Sequence, residues 1–176
     1  PHFDGKGAVD HVFAEQAPTT YLLASFYWEN FLYFGMGPRK GPNGDLVLAL
    51  PLGGVKLPGI ATADIGKCAH GLFGRGTGTV GQRFGIAGEV LSGPEMAAAM
   101  GRALGRKVSF EDVPFDVYRG LGFPGADDLG NMFQFQAILG DEFLRSRDPK
   151  LSRSLNPPLL SFDDWLSGNV SHMPIG

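Results

Sequence analysis

The residue pattern predicts an α/β fold: a sheet with helices packed on it, followed by a small, mostly helical lobe. Helical and strand periodicities alternate through the first two-thirds of the chain, the order that layered α/β proteins require. From Pro114 onward the pattern is helical, punctuated by Gly122-Phe123-Pro124-Gly125 and Asn156-Pro157-Pro158. The composition is that of a packed protein, with 43% hydrophobic and 19% charged residues among 176. That balance excludes a disordered chain, and the length suffices for a sizeable core.

The elements follow in order. A helix is predicted from about Gly5 to Gln16, where Val9, Val12, Phe13 and Gln16 share one face and Asp4 stands ready to cap the first turn. Pro18 ends it, and Thr19 to Ala24 reads as a buried strand. The aromatic run Phe26 to Phe34 reads as a loop turning into a short helix. Pro42-Asn43-Gly44-Asp45 is a hairpin-type turn, and Leu46 to Leu50 is the next strand. Thr62 to Phe73 is a helix with Ile65, Cys68, Ala69, Leu72 and Phe73 on one face, Thr62 as N-cap and Asp64 in the first turn. Phe84 to Ala87 is a short strand. Ser92 and Glu95 have the spacing of a capping box and open a helix with Met96, Ala99, Met100, Ala103 and Leu104 inward. Val108 to Phe110 is a last strand, and a capped helix begins at Ser161, carrying Trp165 and Leu166.

The formal net charge of −3 gives no support to a nucleic-acid partner, since phosphate binding needs a basic stripe. Arg145, Arg147, Lys150 and Arg153 form a modest basic cluster, read as a solvated face. No apolar stretch approaches the roughly 20 residues of a membrane span. The single cysteine, Cys68, excludes a disulfide framework and favours a reducing, cytoplasmic setting; its apolar helix face predicts a buried, unreactive thiol. The four histidines lack metal-ligand spacing, so no metal is expected. The opening Pro1-His2-Phe3 has neither an initiator Met nor a signal-peptide layout, so a processed or truncated piece is expected.

Gly74 to Gly81 is glycine-rich, but it follows a helix rather than a strand, so it reads as a loop and not as a phosphate cradle. Two features carry chemistry. Lys6 stands between two glycines, where its ammonium can reach ribose hydroxyls or phosphate, or simply be solvated. Tyr27-Trp28-Glu29-Asn30 follows a strand directly, where open α/β sheets bind ligands, though aromatic core plus a helix cap explains the same residues. Phe31, Tyr33, Phe34, Phe123 and Phe133 are read as ordinary core, with a lobe cleft or dimer surface as the alternative.

His2-Phe3-Asp4-Gly5-Lys6-Gly7 followed by Tyr27-Trp28-Glu29-Asn30 resembles the NmrA-like family of atypical short-chain dehydrogenases, in its NADP(H)-sensing (HSCARG-type) branch. Pro42-Asn43-Gly44, Asp64-Ile65-Gly66, Leu121 to Ala126, Asp128 to Phe133, Leu155-Asn156-Pro157 and Phe162 to Leu166 extend the similarity in unbroken order over residues 2 to 167. The resemblance implies the C-terminal part of a Rossmann-type NAD(P)-binding fold over residues 1–90 and a smaller α-rich substrate or partner lobe over 91–176. It implies NADP, or NAD, as cofactor. Lys6 then contacts the nicotinamide ribose, and Tyr27, Trp28, Glu29 and Asn30 pack along the nicotinamide end. Leu23 and Ser25 stand where family members carry Arg and Pro, which implies a less rigid entry to that loop.

The residue four positions before Lys6 is His2, where working short-chain dehydrogenases place a tyrosine that exchanges a proton. A structural histidine is the favoured reading, with His2 and Lys6 catalytic if the protein is an enzyme. Three functions therefore compete. One is an NADP(H)-binding redox sensor that meets a regulatory partner or a second copy. Another is an NAD(P)H-dependent reductase of quinones or small carbonyls. The third is a cofactor-free interaction module.

Overall fold

The structure, a computed structural model, describes residues 2–175. Three small sheets lie among them. The first pairs β1 (Tyr21–Leu23) with β6 (Arg83–Gly85); the second is β2 (Phe26–Tyr27), β5 (Leu57–Ile60) and β7 (Glu89–Leu91); the third is β3 (Arg39–Lys40), β4 (Leu46–Leu50) and β8 (Val108–Asp112). β1–β6, β2–β5 and β4–β8 are parallel, whereas β3–β4 and β5–β7 are antiparallel. Between and around the strands run α1 (His2–Ala8), α2 (Asp10–Gln16), α3 (Asn30–Tyr33), α4 (Thr62–Phe73) and α5 (Gly93–Leu104). The C-terminal helices are α6 (Phe115–Arg119), α7 (Ala126–Leu139), α8 (Asp141–Arg145), α9 (Pro149–Leu155) and α10 (Phe162–Asn169). The expected α/β alternation and helical end are both present.

Local chemistry explains the best-defined elements. β4 buries Leu46, Leu48 and Leu50 and turns Val47 and Ala49 outward, the two-residue period of a strand with one packed face. Its hairpin with β3 turns through Gly44 at φ +81°, the left-handed region that glycine enters without a Cβ penalty. α5 opens with the expected capping box between Ser92 and Glu95 and closes on Gly105 in the left-handed conformation. α10 has the same box from Ser161 to Asp164. These two helices pack together beside β8, and with Trp28, Phe31 and Phe133 they form the larger core. A smaller core gathers Ile60, Cys68, Leu72, Ile86, Leu155 and Leu159 between α4 and α9.

Several expectations are corrected. The helix expected from Gly5 to Gln16 begins at His2 and breaks at Val9, and Asp4 lies inside α1 rather than capping it. Gly5 and Gly7 weaken α1 as a helix, and Asp10 starts a fresh one. Val9, Val12 and Phe13 stay exposed because no described element packs over that face. The strand expected from Thr19 to Ala24 is shorter and half-buried. At α4 the N-cap position belongs to Ala61, and Thr62 is the first helical residue. Phe73 is 84% exposed, since the buried stripe of α4 runs through Asp64, Cys68 and Leu72 and the next residue lies roughly 100° further round. Tyr33 and Phe34 are exposed rather than core, while Phe31 and Phe133 are buried as expected.

The basic cluster also divides. Arg145, Lys150 and Arg153 are solvated, but Arg147 donates from Nε to the Ala24 carbonyl (3.1 Å) and lays its guanidinium over the Phe143 ring. β5 and β7 were not anticipated. Pro58-Gly59 inside β5 reads as a turn signal, yet all four residues of that strand are buried.

Candidate functional site

The site is built upward from α1. His2 and Lys6 are one helical turn apart and share a face. Lys6 is exposed, and its ammonium makes no hydrogen bond or ion pair among the described residues. His2 is anchored from far along the chain: its Nδ1 lies 2.6 Å from Asp128 Oδ2, in the first turn of α7. A carboxylate only accepts, so Nδ1 carries the hydrogen. The other ring nitrogen, Nε2, has no partner among the described residues.

Between α1 and α7 lies a cavity of about 190 Å³. His2 and Phe3 form one side; Asp128, Asn131, Met132 and Phe135 form the other, with Asp4 also on the α1 side. The four α7 residues follow the i, i+3, i+4, i+7 rule and make a single helical face. Phe3 meets Phe135 edge-on with ring centroids 6.2 Å apart. Sequence reasoning missed this face, although its spacing was there to be read. A polar residue at the first position disguised an otherwise partly apolar stripe.

The second part of the site is the loop after β1. Across β2 the side chains alternate: Phe26 is buried, Tyr27 is 39% exposed, and Trp28 is 1% exposed. Trp28 packs against the stacked pair Phe162 and Trp165, at 5.3 Å and 6.0 Å between ring centroids. Its indole lies flush on Gly59 and Gly88, where an added Cβ would come within 2.3 Å and 2.8 Å of it. Glu29 turns its carboxylate to the amide of Thr62 at the head of α4 and to the indole N–H of Trp165. Asn30 opens α3, and its side chain makes no hydrogen bond among the described residues. The structure therefore leaves Lys6, Tyr27 and Asn30 with outward-facing or uncommitted side chains, and engages Trp28 and Glu29 in the interior.

The entry to that loop is held differently from the expectation. Ser25 is buried and donates its hydroxyl hydrogen to the Ile86 carbonyl, tying the end of β1 to the residue after β6. A hydrogen bond thus supplies restraint where a proline ring is absent. Gly74 to Gly81 connects α4 to β6, and where a loop is expected it holds a short 3-10 helix at Gly76–Thr79.

Other sequence motifs prove architectural. Asp64 is fully buried and accepts from Asn156 Nδ2 (3.0 Å), the Leu160 amide (2.9 Å) and Lys67 Nζ (2.9 Å). Cys68 is buried against the Ser152 carbonyl. Burial, helped by the negative charge of Asp64 and opposed by Lys67, pushes its thiol from 9.0 to about 11. Among the described residues no group of three His, Cys, Asp or Glu side chains could hold a metal, and no helix is long and apolar enough to cross a membrane.

The fold has counterparts among solved structures. The crystal structure of NmrA, a negative transcriptional regulator, in complex with NADP superposes with a TM-score of 0.64 at 20% identity, over 85% of this chain and 52% of that one. Triphenylmethane reductase from Citrobacter sp., complexed with NADP(H), gives a TM-score of 0.66 at 14% identity, over 88% of this chain and 53% of that one. An NADPH-dependent quinone oxidoreductase from Escherichia coli gives 0.60 at 20% identity, over 84% and 52%. The α/β arrangement is therefore that of these Rossmann-type proteins, and the chain spans about half the length of the structures it matches. The profile of the NmrA-like family matches residues 1–154. The chain belongs to the NmrA-like family.

Proposed function

We propose that this chain is part of an NADP(H)-binding redox sensor, a regulator that reads cofactor occupancy without dehydrogenase turnover. One observation carries the reading: Lys6, an ammonium with no partner among the described residues, stands one turn from a histidine where a reducing enzyme would hold a tyrosine. The residues present fit a nicotinamide nucleotide. Lys6 would hold ribose hydroxyls, and Tyr27 and Asn30 would flank the nicotinamide end beyond the strand termini. Trp28 and Glu29 serve that site by shaping the loop from within. NAD in place of NADP is compatible with the same residues. A bound nicotinamide supplies two-electron redox chemistry; the protein's task is to favour one of its own states when the cofactor is present.

Residues 1–90 would contribute the cofactor-facing part and residues 91–176 the lobe that meets a partner protein or a second copy. The β4–β8 ladder crosses that division. NmrA, whose structure holds NADP and which is a negative transcriptional regulator, supports the regulatory reading.

The test is a titration of NADPH, followed by nicotinamide fluorescence, into the native polypeptide carrying these residues and into its Lys6→Ala variant. Saturable binding that weakens roughly tenfold on loss of the ammonium is expected. No binding by the unmodified protein overturns the proposal and leaves a family fold kept for protein interaction.

A second reading, an NAD(P)H-dependent reductase of quinones or small carbonyls, has its own observation in the His2–Asp128 pair beside a cavity. His2 would then hold the proton and Lys6 the ribose. NADPH oxidation with a panel of such acceptors, abolished by His2→Phe, would favour it over the sensor.

A further inference from the structure

We propose that the surface formed by Tyr33, Phe34, Arg39 and Lys40 docks an extended acidic segment of a partner protein, with apolar side chains between its carboxylates. This surface lies outside the lobe that the regulatory reading gives to a partner, and it needs no nicotinamide.

The apolar half stands at the end of α3. Tyr33 and Phe34 are 76% and 74% exposed, although the same short helix buries Phe31 and Leu32. Two adjacent rings left in water present roughly 300 Å² between them, a size at which surface patches often serve binding. A stable dimer needs about 800 Å² from each partner, so the patch suits a short segment better than a second copy.

The charged half is built by the turn that follows. Gly35 takes φ +65°, in the left-handed region, and Arg39 Nη2 donates to its carbonyl at 2.9 Å. A Cβ at Gly35 would stand 2.9 Å from that same nitrogen and push the guanidinium away. The bond holds the guanidinium beside Phe34, while Nε and Nη1 have no acceptor among the described residues. Lys40 follows directly and is exposed. Neither cation has an ion-pair partner among the described residues. Two uncompensated cations beside two exposed rings call for carboxylates interspersed with apolar groups.

Topology narrows the occupant. Arg39 and Lys40 are β3, the edge strand of the β3-β4-β8 sheet, and they pair with β4 on one side only. A second copy's β3 laid along that edge would set like charges against each other, whereas an acidic segment reverses the sign. The open edge also offers backbone hydrogen bonds to an extended segment.

The test follows the fluorescence anisotropy of labelled peptides added to the native polypeptide carrying these residues, without NADPH. The probes are a peptide of Asp interspersed with Phe and Leu, its counterpart with Lys in place of Asp, and an all-Asp peptide. Saturable binding of the first is expected, weakening as salt is added, with the other two weaker by at least several-fold. Arg39→Gln, which keeps a donor for the Gly35 carbonyl, combined with Lys40→Gln should weaken binding roughly tenfold. Tyr33→Ser with Phe34→Ser should also weaken it, with circular dichroism and thermal melting unchanged because both rings are exposed. Equal affinity for either control peptide, absence of saturable binding, or variants that bind like the unmodified protein would each overturn the proposal. A dimer in sedimentation that the aromatic substitutions dissolve would assign the surface to a second copy and overturn it too. Binding confined to phosphatidylserine vesicles would do the same in favour of a membrane. All of these readouts stand whether or not NADPH binds.

Discussion

Trp165 Nε1 donates to Glu29 Oε1 at 3.1 Å, joining the head of the last long helix to a loop 136 residues away. The same carboxylate receives the first amide of α4, with both oxygens within 3.1 Å of the Thr62 nitrogen. One side chain thus anchors the loop after β2, the start of α4 and the indole of α10. Glu29→Ala should destabilise the fold by about 1–3 kcal/mol, because it leaves a helix-head amide and an indole N–H without their acceptor. Trp165→Phe should cost less through this bond alone, and urea denaturation of both single variants and the double variant would show strong coupling between them.

Adjacent residues of the loop should separate binding from stability. Trp28→Ala removes an indole that is 1% exposed and should cost about 3–5 kcal/mol. Tyr27→Ala removes an exposed ring and should change stability by less than about 0.5 kcal/mol. If the cofactor reading holds, Tyr27→Ala instead weakens NADPH binding several-fold. Denaturation midpoints and fluorescence titration of the same two variants check both halves.

Helix α4 contains a pair of glycines for which one substitution should have opposite signs. A Cβ at Gly66 meets nothing within 4 Å, so Gly66→Ala should stabilise by about 0.5–1 kcal/mol through helix propensity. A Cβ at Gly71 would stand 2.3 Å from the Leu155 carbonyl oxygen, where α9 crosses. Backbone cannot yield as a side-chain tip can, so Gly71→Ala should destabilise despite the same propensity gain. Thermal melts of the two variants settle the signs.

Buried Asp64 binds the start of α4 to the segment after α9. Asp64→Ala should cost about 3 kcal/mol, since Asn156 and the Leu160 amide lose an acceptor inside the protein. Lys67→Ala should cost far less, because its ammonium is half exposed. Chemical denaturation compares them.

Alkaline stability should bear the mark of Cys68. Its thiol is raised to about 11 in the folded chain, chiefly by burial, against 9.0 as the ordinary value. Above 9.0 the unfolded chain gives up a proton that the folded chain retains. The group's contribution is therefore fully present below pH 9.0 and is lost as pH rises towards about 11. Cys68→Ala should flatten the stability profile across that window. At neutral pH the folded thiol should resist alkylation and react only as fast as the chain opens.

Much of this architecture was legible in the residues themselves. The capping boxes at Ser92 and Ser161, the Asn43-Gly44 turn, the alternation of β4 and the buried position of Cys68 all follow from local chemistry and period. The ordered motifs from His2 to Leu166 also pointed to the family whose profile matches residues 1–154. Tertiary structure decided the rest, since those features depend on what each residue meets across the fold. It put Pro58-Gly59 into a buried strand, where neighbours β2 and β7 override a turn-forming pair. It turned Trp28 and Glu29 inward to meet Trp165, and left Lys6 and Tyr27 outside. It also joined His2 to Asp128, 126 residues apart, a contact for which no local periodicity exists, because only the packing of α1 against α7 creates it.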